Sequence, residues 1–315
     1  MGTETIYVGV DIAKAHVDVW CSGDSASTRW RNDDDDIAKL VAELRTRGPA
    51  LVVMEATGGY QRRLLVALIE AKIAAVAVNP RQVRDFAKAL GVLEKTDQVD
   101  ARVLMLFAER VRPEVRAIAD ETTRLFEEAL GRRKQLVEML VAEKNRLQQA
   151  QAGRVRDGIA EHIKWLKQRV KDSGEDLDRR VGDSPSWNAK VELLEALDGV
   201  GRITALSLLS SVPELGTLNR KQIAKLVGLA PLARDSGRQT GKRAIWGGRA
   251  DARASLYMAT LVATRHNQVI RDFYSRLLAA GKVKKVALVA CMRKLLTIAN
   301  AIVRGHLQQQ TAAAA

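Results

Sequence analysis

TIYVGVDI, residues 5–12, is β-branched and bounded by polar residues, so it reads as a strand. HVDVWC (16–21) alternates and is predicted to pair with it as a hairpin, and STRWRN (27–32) supplies a third strand. The acidic run Asp33–Asp36 opens a helix over Ile37–Arg47, because carboxylates are favoured at a helix N-terminus. ALVVME (50–55) is the continuous apolar run expected of a buried central strand. Tyr60–Ala71 reads as an amphipathic helix and Ala74–Val78 as a short buried strand ended by Asn79-Pro80. Arg81–Leu90 is helical, and a further helix begins at Thr96 or Asp97 and runs to about Arg110. Strands first, then strands alternating with helices, fit an RNase H-like α/β layer over residues 1–112.

In such a layer the first strand and the end of the central strand lie side by side. Those positions hold Asp11 and Glu55, each behind an apolar run, YVGV and LVVM. An unpaired buried carboxylate is costly, and a metal ion at the strand ends resolves that cost. KTDQVDARVL adds Asp97 and Asp100, which a spacing of three puts on one helix face. Four such oxygen donors suit Mg²⁺ (or Mn²⁺), a cation that accompanies phosphate chemistry. Each acid also has a plainer reading. Asp97 and Asp100 serve as an N-cap and a first-turn acid, Asp11 as a strand-end turn residue, and Glu55 as a cap for the next helix.

The 315 residues carry a net charge of +14, which points to a polyanionic partner, nucleic acid first. Residues 1–112 hold 16 basic and 16 acidic residues, so the whole surplus falls in residues 113–315. Cys21 and Cys291 have no motif spacing, which argues against a disulfide framework or a thiolate zinc site. The start lacks a signal-peptide pattern, and no purely apolar run approaches the roughly 18 residues of a membrane span. A cytosolic protein with no membrane partner is the expectation.

Residues 113–182 read as a helical spacer. Leu125, Ala129, Leu136, Leu140 and Leu147 mark one apolar stripe; Gly153 and Gly158 break it; Ile159, Ile163, Leu166, Val170 and Leu177 mark another. The heptad-like spacing predicts an antiparallel helical hairpin or a coiled coil between protomers, with ordinary two-helix packing the alternative. Residues 183–307 then form a mainly α domain. Ser184-Pro185 opens a helix to Leu197, and LDGVGRITA leads through Gly199 and Gly201 into a helix over Arg202–Ser211. Helix, GVG turn, helix is a helix-hairpin-helix pattern whose turn offers backbone N–H groups to phosphate. Further helices are expected over Asp251–His266 and Lys282–Arg304, and residues 308–315 (QQTAAAA preceded by Gln308) are read as a disordered tail.

Between these helices lies APLARDSGRQTGKRAIWGGRADAR (230–253), where Ser236 sits among glycines and the basic residues Arg234, Arg238, Lys242, Arg243 and Arg249. The glycines permit close backbone approach, the cations neutralise phosphate, and a hydroxyl there is a candidate nucleophile. The plainer reading is a basic surface loop whose serine caps a turn.

The motifs VGVDIAK, VVMEATGGY, KTDQVDARVL, LDGVGRITA and VGLAPLARDSG…WGGRADAR…LYMA, in that order, resemble the DEDD transposases of the insertion-sequence 110 family, which also includes pilin-gene invertases. The resemblance implies a RuvC-like domain carrying Asp11, Glu55, Asp97 and Asp100, a coiled-coil link, and a C-terminal transposase domain with Ser236 as catalytic serine. It also implies a homo-oligomer with shared sites, DNA as substrate, and a guide RNA encoded by the element. The expectation is therefore a DNA recombinase in which a serine forms a phosphoserine intermediate. The alternatives are a RuvC-like nuclease or junction resolvase using water, a DNA invertase of the same family, and a non-catalytic nucleic-acid scaffold.

Overall fold

The computed structural model describes residues 5–56, 58–92, 94, 96–115, 121–233, 235–236, 239–241 and 243–313. The chain divides into two compact units, Met1–Ile118 and Ala119–Ala315.

The first unit is a mixed sheet between helices. Its elements are β1 (Tyr7–Ile12), β2 (His16–Cys21), β3 (Thr28–Arg31), α1 (Asp34–Arg47), β4 (Leu51–Glu55), α2 (Arg62–Glu70), β5 (Ala75–Val78), α3 (Pro80–Ala89) and α4 (Asp97–Val111). The strand order is β3-β2-β1-β4-β5. β2 runs antiparallel to β1 and β3, while β1, β4 and β5 are parallel. Side chains alternate between the two faces of the sheet. Val8, Val10, Val52 and Met54 pack with Leu40 and Leu44 of α1 and Leu64 and Leu68 of α2. Tyr7, Val53, Val76 and Val78 pack on the other face with α3 and with Leu104, Phe107 and Ala108 of α4. α1 starts as its acids predict: the Asp33 side chain accepts a hydrogen bond from the Asp36 N–H, and Asp34, Asp35 and Asp36 fill the first turn.

The second unit is mostly helical. α5 (Glu121–Gln149) and α6 (Gly153–Gly182) form a hairpin. It is antiparallel, since Glu143 near the end of α5 meets His162 near the start of α6 at 3.6 Å, while Leu125 lines a groove with Arg180. Gly158, expected to break the stripe, lies inside α6; the interruption is only the connection at 150–152. The stripe is narrower than the spacing implied. Leu136, Ile163, Leu166 and Leu177 are buried, but Leu125 is 45% exposed, and Phe126 beside it is the buried residue.

α7 (Pro185–Glu195), α8 (Arg202–Ser211), α9 (Arg220–Val227), α10 (Ala250–His266), α11 (Gln268–Ala279) and α12 (Lys284–Ala313) complete the unit. Phe126 stacks on Trp187 with ring centroids 4.2 Å apart. Leu177, Val181 and Leu194 join the same core, so the hairpin packs with the helices after it in the second unit. α11 was not anticipated by the sequence reading. The expected disordered tail is helical through Ala313, as a run of Gln and Ala, good helix formers, permits.

Lys284–Ala312 is long and apolar enough to cross a bilayer, a property that counting unbroken apolar runs overlooked, and half of its most apolar stretch is buried within the protein. It packs Cys291, Met292, Leu295, Leu296, Ala299 and Val303 into the helical core. Both cysteines are buried free thiols, and burial pushes each up to about 11.

Candidate active site: a carboxylate cluster and an exposed serine

In the first unit the acids converge because α4 lies directly on β1. Gly9 makes that possible. A Cβ there would overlap the Met105 N and the Ala101 carbonyl oxygen and come within 2.7 Å of the Leu104 carbonyl carbon, all backbone atoms of α4. With no side chain in the way, the helix seats on the strand. The two-residue period then points Asp11, the next residue on that face, toward the first turn of α4. Thr96 caps the turn by accepting from the Val99 N–H at 3.3 Å, and Asp97 and Asp100 lie in it.

Asp11 registers this crowding. Its carboxyl is pushed up to about 6, first by burial and then by the charges of Asp100 and Asp97. Glu55 ends β4. Val10 of β1 pairs with Met54 of β4, so Asp11 and Glu55 are the next positions along neighbouring parallel strands. The structure thus brings three of the four acids into one electrostatic cluster and sets Glu55 at the adjoining strand end.

Three residues at this edge were missed by the sequence reading. Asp18 stands directly opposite Asp11 in the β1–β2 register and is only 2% exposed. Arg29 on β3 binds it through two hydrogen bonds, Nε to Oδ1 at 2.9 Å and Nη2 to Oδ2 at 3.0 Å. The same Nη2 donates to Asp97 Oδ2 at 2.9 Å, and His16 Nε2 lies 3.3 Å from that oxygen. The alternation of HVDVWC held the signal. Once β1 and β2 are paired, Asp18 must share a face with Asp11.

These residues fit a divalent cation. The donors are hard carboxylate oxygens, and Asp11 has its proton affinity raised first by burial and then by the neighbouring charges of Asp100 and Asp97. His16, Asp18 and Asp97 also bring ligand atoms within 4.8 Å of one another, although Arg29 already bridges the two acids.

In the second unit Ser236 is exposed on a narrow arm. β6 (Pro231–Leu232) pairs antiparallel with β9 (Ala244–Ile245), and farther out β7 (Asp235–Ser236) pairs with β8 (Gln239–Thr240). Asp235 Oδ1 accepts from the Gly241 N–H at 3.2 Å, and Arg243 lies 3.9 Å from Asp235 Oδ2. Arg234, Gly237, Arg238 and Lys242 lie outside the described residues.

The base of the arm is closed by glycines. Gly228 and Gly248 both have positive φ, and a Cβ on Gly248 would come within 2.6 Å of Gly228 Cα. Arg253 Nη1 donates to the carbonyls of Val227 and Gly247 across this junction. Arg249, expected to face phosphate, is committed elsewhere. Its guanidinium holds Glu214 at 2.5 and 2.6 Å and donates to the Ser211 carbonyl at 2.8 Å.

The GVG turn joins α7 to α8. Gly199 has a φ of 98°, and a Cβ there would lie 2.7 Å from Ala263 of α10, so this glycine is required by close packing. Gly201 is the N-cap of α8, with extended backbone and no side chain to occlude the helix start.

Two family models match the chain. A transposase model of the IS110 DEDD type covers residues 8–151, and the model described as "Transposase IS116/IS110/IS902 family" covers residues 191–275. The first takes in all four acids and the second takes in Ser236. The chain is 26% identical over 308 residues to the pilin gene-inverting protein of Moraxella bovis, covering 95% of each chain. The Moraxella lacunata counterpart matches equally well, at 26% over 308 residues. An uncharacterized 44.8 kDa protein of insertion element IS116 from Streptomyces clavuligerus is 24% identical, over 96% of this chain and 95% of its own. With two models of one family together spanning well over half of its residues, the chain belongs to the IS110-type transposases.

Proposed function

We propose that this transposase cuts and rejoins DNA through a serine nucleophile, with Asp11, Glu55, Asp97 and Asp100 holding Mg²⁺ or Mn²⁺. The observation that carries the reading is the convergence of Asp11 with Asp97 and Asp100 at the end of β1, where burial first and then the two neighbouring charges push the Asp11 carboxyl up to about 6. A bound divalent cation there supplies electrostatic stabilisation of charge on the phosphate oxygens. Asp18 and Arg29 support the set, since Arg29 bonds Asp18 and holds Asp97 by its Oδ2.

Ser236 supplies the covalent step. Its Oγ forms a bond to phosphorus, the bond from phosphorus to one deoxyribose oxygen breaks, and that oxygen leaves as a hydroxyl, taking up a proton as the serine loses its own. The phosphodiester linkage count is unchanged, so attack by a different deoxyribose hydroxyl on the phosphoserine rejoins the strand without an external energy source. Exposure on a narrow arm suits a nucleophile that must reach a duplex.

The order β3-β2-β1-β4-β5, with β2 alone reversed, supports an RNase H-like (RuvC-like) assignment for residues 1–112. We read the hairpin as the oligomer contact of the proposed homo-oligomer, because Met139, Val141, Val155 and Trp165 are each 45–55% exposed along it. The extended N-cap at Gly201 supports a helix-hairpin-helix phosphate contact at the GVG turn. The +14 charge suits DNA together with a guide RNA. The Moraxella relatives invert pilin genes by name, and both inversion and insertion can follow from the cutting and rejoining proposed here.

The test is a junction substrate incubated with wild type and with Ser236→Ala. Wild type should yield a covalent protein–DNA adduct and Ser236→Ala none, while both bind Mn²⁺ equally. Adducts at normal yield from Ser236→Ala would remove the serine from its role; cut ends with free 5′-phosphates and no adduct from wild type would favour hydrolysis by water.

A further inference from the structure

The second unit carries a large groove beside the serine arm that the catalytic reading does not use. It opens over about 1040 Å³ between the start of α9, the β6–β9 ladder, α11 and α12. That is at the upper end of the roughly 300–1,000 Å³ of small-molecule pockets, which leaves room for several nucleotides.

Its floor is apolar, formed by Leu229, Pro231, Ile245, Phe273, Val286 and Val289. Val286 is 57% exposed and Val283 at the mouth is 70% exposed. Its rim is cationic throughout, with Arg220, Lys221, Arg243, Lys285, Arg293 and Lys294. No acidic side chain among the described residues lines it. Lys294 Nζ lies 4.7 Å and the Arg276 guanidinium 5.3 Å from the centre of the Phe273 ring, so cation–π contacts hold this aromatic at the edge of the floor.

Uniform positive charge around an apolar floor suits a ligand with negative charge along its edge and flat apolar groups at its centre. A nucleic-acid strand with unpaired bases has that chemistry: phosphates meet the rim and bases lie on the floor. A paired duplex keeps its bases stacked inside and has no use for the floor.

The groove is continuous with the arm. Arg243, Ala244 and Ile245 line it, and Ala244 and Ile245 form the strand that returns from Ser236 to the base. We propose that the groove holds the unpaired DNA strand that flanks the phosphate attacked by Ser236. It keeps the displaced nucleotides in place while the phosphoserine exists. The proposal rests on the serine reading for its location and on the groove's own chemistry for its ligand.

The experiment uses the full chain carrying Ser236→Ala, so that no adduct contributes to binding. Fluorescence anisotropy is measured with a labelled 12-nucleotide DNA single strand, the same sequence as a duplex, and the same sequence as RNA. Lys285→Glu/Arg293→Glu should weaken single-strand DNA binding at least about tenfold. It should also flatten the slope of log K against log salt by about 1.4, the single-strand share of two phosphates. Val286→Asp, at an exposed position, should weaken the same binding, while duplex affinity changes less than about twofold for both variants. Unchanged single-strand binding overturns the proposal, and so does an equal loss on duplex, which would mark a general cationic face. Tighter binding of RNA than DNA, lost in both variants, would also overturn it in favour of an RNA groove. Adduct formation, measured separately on the Ser236-intact protein, tests the serine reading alone: a groove that binds single strands in a protein that forms no adducts would sink that reading and leave the ligand assignment standing.

Discussion

Gly9→Ala tests how the carboxylate cluster is assembled. Gly9 has no positive φ, so alanine costs nothing in the backbone and the effect is steric. The new Cβ would lie 2.7 Å from the Leu104 carbonyl carbon, closer still to Met105 N and the Ala101 oxygen, and ordinary contact begins at 3.4 Å. The tightest contact, with Met105 N, sets the movement, so α4 must shift off β1 by more than about 1 Å, and no flexible side chain is available to yield instead. Overpacking of this kind costs about 1–3 kcal/mol, and backbone contacts place it toward the upper end. The first turn of α4 carries Asp97 and Asp100, so the same movement widens their separation from Asp11. A misplacement of about 1 Å at a reacting centre can cost about 10²-fold in rate.

The assay has two readouts, the urea midpoint and the Mn²⁺ dissociation constant by calorimetry. Leu40→Ala is the comparator. Leu40 lies on the opposite face of the sheet at 1% exposure, and its truncation should destabilise by about 2–5 kcal/mol without moving the acids. Gly9→Ala should lose Mn²⁺ affinity out of proportion to its lost stability, and Leu40→Ala should not. Wild-type values for Gly9→Ala on both readouts, or equal Mn²⁺ losses in the two variants, would refute the packing argument.

Asp11→Asn should raise the melting temperature of the metal-free protein at pH 8, have about half that effect at pH 5, and almost none near pH 3. The sign follows from the native carboxyl sitting at about 6 against an ordinary 3.8: the native state holds this proton more tightly than the unfolded chain, so its stabilising contribution is complete below about 3.8 and lost as pH rises through 6. A thermal scan showing the larger gain at pH 5 would contradict the crowding of acids. Arg29→Gln should weaken Mn²⁺ binding about 10- to 100-fold, because the hydrogen bonds that orient Asp97 and satisfy Asp18 are lost. Tighter Mn²⁺ binding in this variant would instead make Arg29 a competitor of the metal.

The α/β layer was legible because its strands are short apolar runs with clear ends. TIYVGVDI and ALVVME place Asp11 and Glu55 at strand ends by spacing alone, and Thr96 marks the start of α4. What escaped depends on partners distant in sequence. Asp18 becomes significant only when the register sets it opposite Asp11, and Arg29 only when β3 joins the same edge. Arg249 resembled its basic neighbours until Glu214, 35 residues upstream, claimed it. α11 is a thinly buried helix with Ile270 as its one deeply buried residue, so its apolar pattern is faint. Its start was nonetheless marked, since the Asn267 side chain accepts from the Ile270 N–H at 3.2 Å.

The glycine junction at the base of the serine arm has an evolutionary consequence. The chain leaves α9 at Gly228 and returns at Gly248 within van der Waals contact of its point of departure. The helical core therefore senses the two ends of the excursion, with Leu229 and Ile245 packed on it, and little of the tip beyond them. Doubling the length of such a closed segment adds only about 0.6 kcal/mol of closure entropy. The arm is in effect an exchangeable cartridge: its length, charge and tip can vary from one mobile element to another without redesign of the core that carries it.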